Sequence, residues 1–154
     1  MRLLVSILIS LAFNQPNFAQ ETSYKDSVIA LRNETRRGTK VYNDHDNEAK
    51  RKYFYHKKTK KIVGIFISPY KSGAAFQYEF INNELVMIRL YLPLSALPPT
   101  SRGKKNYGIY FFKNNVFVGK DELNFPQIDI EQFKVQGLEL FKRAVHFLEK
   151  KGIK

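Results

Sequence analysis

Residues 76–92, Phe-Gln-Tyr-Glu-Phe-Ile-Asn-Asn-Glu-Leu-Val-Met-Ile-Arg-Leu-Tyr-Leu, read as a β-hairpin. The turn is Asn82-Asn83-Glu84, and asparagine tolerates the positive φ that tight hairpin turns need. In the first strand Phe76, Tyr78 and Phe80 alternate with Gln77 and Glu79, the period of a strand with one buried face. In the second, Val86, Ile88, Leu90 and Leu92 form one face and Met87, Arg89 and Tyr91 the other.

The same outline occurs on both sides. Upstream, Tyr53 to His56, a Lys57–Lys61 turn and Ile62 to Ile67 make a hairpin. There Val63, Ile65 and Ile67 point one way, and Ile62, Gly64, Phe66 and Ser68 the other. Downstream, Tyr107 to Phe112, Lys113-Asn114-Asn115 and Val116 to Gly119 make another. The strand over 107–112 is apolar on both faces, so it belongs in the middle of the sheet or under cover on both sides. The unequal spacing marks a meander, not a solenoid.

Helices are expected at both ends. Ser23 with Asp26 fits a capping box for a helix over about 24–37, with Tyr24, Val28 and Leu31 on one face and Gly38 as its stop. A short strand, Thr39 to Tyr42, follows, and Asn43 to Glu48 reads as a polar turn without the glycine and distant glutamate of a Ca²⁺ loop. At the other end Asp129 is an N-cap with Gln132 three residues on, and Ile128 and Phe133 take the staple positions. Phe133, Gly137, Phe141, Ala144 and Leu148 share a face, and Gly152 ends the helix. The fold class is therefore α+β: an N-terminal helix, an antiparallel meander of about six strands in three hairpins, and a long C-terminal helix packed on the sheet.

Arg2 followed by the apolar run Leu3 to Phe13 and a polar stretch to Gln20 has the plan of a secretory signal peptide, with cleavage expected after Ala19. Residues 1–19 are read as the signal and 20–154 as one domain. The run is too short to span a bilayer, so no transmembrane segment is expected in the mature chain. The expected address is the periplasm or the exterior.

The formal net charge is +12, one less without Arg2. A charge of this size favours polyanionic partners. For an exported chain nucleic acid is not among them; an acidic or amphiphilic envelope component or an acidic exported protein is. The other reading is that the lysines solubilise the surface and blunt sheet edges. The chain has no cysteine, which excludes disulfides and thiolate chemistry. His45, His56 and His146 are its only histidines, with His56 expected at an exposed turn and His146 as a half-buried packing residue. No HExxH, GxSxG or paired-carboxylate motif lies on an expected scaffold, and nothing calls for a cofactor or a metal.

Two binding regions are expected. The first is the sheet face carrying Met87, Arg89 and Tyr91, with Phe66 from the neighbouring hairpin, where aromatic rings and a cation could hold a sugar or lipid bearing an acidic group. The competing expectation is that the N-terminal helix covers this face. The second is the long connection 93–106, where Arg102, Lys104 and Lys105 surround Gly103 and offer either an anion site or a solvated loop. The functions that follow are a non-enzymatic exported binding module or, alternatively, an inhibitor or immunity-type protein that binds another exported protein. An enzyme with an unrecognised site comes third.

Overall fold

The structure, a computed structural model, describes residues 18–96, 107–121 and 127–153. Among the described residues two α-helices and seven strands follow one another, with a 3-10 turn (Leu94–Ala96) after the fifth strand: α1 (Phe18–Thr35), β1 (Thr39–His45), β2 (Ala49–His56), β3 (Lys61–Pro69), β4 (Ala75–Ile81), β5 (Glu84–Tyr91), β6 (Tyr107–Lys113), β7 (Val116–Asp121) and α2 (Ile130–Lys150). The strands form one antiparallel sheet in sequence order. The sheet has one strand more than expected. β1 is polar and shows little alternation, but all seven of its residues pair with β2. Between them, Asp46 Oδ1 accepts from the Glu48 and Ala49 N–H groups and closes the turn.

The turn residues behave as their chemistry requires. Lys60, Asn82, Asn83, Asn114 and Asn115 all have positive φ. Beyond each turn the register slips by one residue. Tyr55 faces Ile62 but Phe54 faces Gly64; Phe80 faces Leu85 but Glu79 faces Met87; Phe112 faces Phe117 but Phe111 faces Gly119. Val63, Val86 and Val118 are the extra residues, so one β-bulge recurs in all three hairpins. The bulges correct two facing assignments. Ile62 joins Ile65 on the α2 face, and Val86 joins Met87 on the α1 face. An extra residue in a strand of period two moves everything on one side of it to the other face.

The helices take opposite faces. On the α2 face Tyr53, Phe76 and Phe80 meet Phe147, Phe133 and Phe141, with ring centroids 5.2, 5.1 and 4.7 Å apart. Gly137 lies over the Tyr78 ring, where a Cβ would fall 2.4 Å from Cδ1, so no side chain fits. Asp129 caps α2 by accepting from the Gln132 N–H at 3.2 Å. Gly152, at φ +66, turns the chain so that the Ile153 N–H reaches back to the Leu148 carbonyl. Asp129→Ala should cost about 1 kcal/mol in a denaturant melt, as loss of a cap does.

α1 begins at Phe18, ahead of the expected start, so Ser23 lies inside the helix and does not cap it. Ala19, Gln20 and Glu21 are good helix formers and carry the helix on in front of it. The helix ends at Thr35, and Gly38 (φ +84) stands beyond the turn that follows. Tyr24 and Val28 pack with Val86, Met87, Ile109 and Phe111, while Leu31 remains 39% exposed. β6 is therefore covered twice, as its two apolar faces require: Ile109 and Phe111 lie toward α1, Tyr110 and Phe112 toward α2. His146 is exposed and takes no part in the packing. Among the described residues no helix is long and apolar enough to cross a membrane. Most of the expected signal, residues 1–17, lies outside the described residues.

Candidate functional site on the α1 face of the sheet

Strand register places the site. Residues directly opposite each other across an antiparallel ladder share a face. One row across the α1 face is Val41, Phe54, Gly64, Glu79, Met87, Phe111 and Gly119. The next, farther from the hairpin turns, is Asn43, Lys52, Phe66, Gln77, Arg89, Ile109 and Asp121. Beyond it Ala75, Tyr91 and Tyr107 stand in line. Phe66, Arg89 and Tyr91 are thus brought onto one face, with Gln77 between Phe66 and Arg89.

α1 engages the first row. Arg32 and Arg36, one turn apart, both donate to Oε1 of Glu79 at 2.9 Å. Glu79 is 4% exposed, so its charge is answered where water cannot reach it. Gly64 makes the room: a Cβ there would lie 3.1 Å from Glu79 Oε2. The Arg36 guanidinium also stacks over the Phe54 ring at 5.2 Å. The helix therefore covers the turn-proximal part of the face and, at Ile109, the β6 end of the second row, while Phe66, Arg89 and Tyr91 lie past its ion pairs.

A polar chain links the rows. Gln77 donates to Glu79 Oε1 at 2.5 Å, Tyr91 donates to Gln77 Oε1 at 3.3 Å, and Arg89 Nη1 donates to Tyr91 Oη at 3.3 Å. The Arg89 guanidinium lies 5.4 Å from the Tyr107 ring centroid, and Tyr91 and Tyr107 stand 5.8 Å apart. Arg89 Nε is buried without a partner, and no carboxylate pairs with Arg89 among the described residues. Lys52 and Lys50 are exposed on the flank, with Lys50 over the ring of the exposed Tyr70.

Such a surface can hold an anion through Arg89 and Lys52 and an apolar or ring-shaped group against Phe66, Tyr91 and Tyr107. Gln77 and Glu79, expected on a solvated face by their alternation with aromatics, are instead 5% and 4% exposed. They were legible only together with Arg32 and Arg36, whose i, i+4 spacing puts two guanidiniums on one side of α1. Arg102, Lys104 and Lys105 lie outside the described residues. The chain leaves the sheet after Tyr91 and re-enters it at Tyr107, so the connection that carries them starts and ends beside the site.

No protein-family model matches the chain, and neither do any curated protein or solved structure.

Proposed function

We propose that this chain is an exported, non-enzymatic binding protein that holds an acidic amphiphile of the cell envelope on the α1 face of its sheet. The observation that carries the reading is Arg89: it stands between two tyrosines with a donor edge that no carboxylate of the described residues answers. Arg89 is half-buried, and a guanidinium without a carboxylate partner readily takes an anionic acceptor. Glu79, the buried acid of this face, is already neutralised by Arg32 and Arg36. Asp121 lies at the edge strand β7, so on the β2–β5 side Arg89, Lys52 and Lys50 set the sign of the surface, and the sign suits an acidic head group. Phe66 and the tyrosines suit the body attached to it.

Calorimetric titration with a short-chain phosphatidylglycerol, kept below its micelle concentration, tests the proposal. Arg89→Ala should weaken binding by about 10- to 100-fold, since hydrogen bonds to charged groups contribute roughly 1.5–3 kcal/mol. Phe66→Ala should weaken it too, and the phosphatidylcholine analogue should bind poorly. Equal affinity of the Arg89→Ala chain would remove the site.

A second reading, an inhibitor or immunity-type protein, is favoured by β7. This strand ends the sheet, with Val116 62% and Phe117 36% exposed. An exported protein partner would add its own strand there or cover those side chains. Val116→Lys would then abolish complex formation without altering lipid binding.

A further inference from the structure

On the opposite face, where β2 and β3 meet α2, there is a pocket of about 340 Å³ that opens to solvent. Its walls carry a paired cluster with one unused donor, and two glutamates outside it. Arg51, 5% exposed, donates from Nη1 to Asp46 at 2.8 Å, but its Nε is buried without a partner. Arg143 Nη2 reaches Asp46 at 3.1 Å and Asp44 at 3.4 Å, and the Tyr53 hydroxyl donates to Asp44. The two arginines and two aspartates thus neutralise one another in a fixed cluster. The backbone N–H groups of Glu48 and Ala49, with Arg51, hold the Asp46 carboxyl well below the usual carboxylate range.

Glu48 and Glu139 complete the wall, and no ion pair reaches either among the described residues. Gln136 accepts the Tyr78 hydroxyl through Oε1 at 2.7 Å, which leaves its amide N–H₂ as a free donor. Gln136, Glu139 and Arg143 stand three and four residues apart on α2, so one side of the helix presents a donor, an acid and a base in line. Ala49, Ile67 and Leu140 supply an apolar floor.

We propose that this cavity binds a small zwitterion of the amino-acid or dipeptide class. A carboxylate takes the free edge of Arg51 and the Gln136 amide; an ammonium sits between Glu48 and Glu139; a small side chain rests on Ile67 and Leu140. Either charge alone fits worse. A simple anion would face two unpaired glutamates, and a simple cation would leave the Arg51 Nε–H without an acceptor. The volume is at the lower end for ligand cavities, which suits one or two residues and not a longer peptide. The site is separate from the Arg89 face and does not depend on it.

The test is an amide-NMR titration of the full chain with L-alanyl-L-alanine, N-acetyl-L-alanyl-L-alanine and L-alanyl-L-alanine amide. The free dipeptide should shift the resonances of Glu48–Arg51 and Gln136–Arg143. Blocking either end should weaken binding by about tenfold or more, the worth of one charge-assisted bond. Arg51→Lys should abolish the response, with a thermal melt to check its fold. Glu139 is exposed, so Glu139→Gln leaves the fold intact and should weaken the free dipeptide by about tenfold while leaving the amine-blocked form unchanged. The proposal fails if those resonances do not move at about 50 mM dipeptide, a concentration far above a useful affinity. It also fails if the blocked dipeptides bind as well as the free one, or if Glu139→Gln binds the free dipeptide like the natural chain.

Discussion

Phe80→Ala is expected to cost about 3–5 kcal/mol of unfolding free energy, the range for truncating a buried phenylalanine. Phe80 is 1% exposed on β4, and its ring meets Phe141 of α2 at 4.7 Å. It also lies opposite Leu85, at the bulge that sets which face the rest of β5 presents. The deleted ring cannot be replaced by collapse, because the ladder holds β4 and the neighbouring contact of Gly137 with Tyr78 holds α2 at its distance. Phe141→Ala should lose nearly as much. The double mutant should show a coupling of about 0.5–1.5 kcal/mol, the range for a specific ring pair beyond its area. Urea melts of the three variants measure this. A loss below about 1 kcal/mol for Phe80→Ala would mean that α2 is not seated on the sheet as described.

Glu79→Ala should be the next most damaging change. It removes the acceptor shared by Arg32, Arg36 and Gln77, and leaves their donors facing each other under α1. Breaking a buried pair from one side costs about 3–5 kcal/mol. The lower end, about 3 kcal/mol, is expected here, because Arg36 is 36% exposed and can turn to water whereas Arg32, at 14%, cannot. Glu79→Gln keeps an acceptor and should lose less. Hydrogen exchange would show the cause: the amides of α1 should lose protection before those of α2, since Glu79 joins α1 to the sheet.

The sequence made the hairpins legible because their turns are chemical signals: Asn82-Asn83 and Asn114-Asn115 occupy positive φ that few other residues tolerate. The C-terminal helix was legible for the same reason, with Asp129 and Gly152 marking its ends. The bulges were not. Val63, Val86 and Val118 are ordinary strand residues, and only their common place after each turn, one residue before the ladder resumes, marks them. β1 was half hidden because Lys40, Asn43 and Asp44 carry no apolar alternation, and pairing with β2 makes it a strand in spite of them. At the site, the sharing of one face by Phe66, Arg89 and Tyr91 could be read from the period of two, since no bulge falls between them and the rows that align them. Gln77 and Glu79 could not be placed, because a polar residue opposite a buried one looks solvated until the element that covers it is known.

The proposed binding face is tested most directly by mapping it. An isotope-labelled sample titrated with the short-chain phosphatidylglycerol should show amide shifts clustered at Lys52, Phe66, Gln77, Arg89, Tyr91 and Tyr107, weakening as salt is raised. Shifts confined to α2 or to the edge strand β7, with the Arg89 row unmoved, would contradict it.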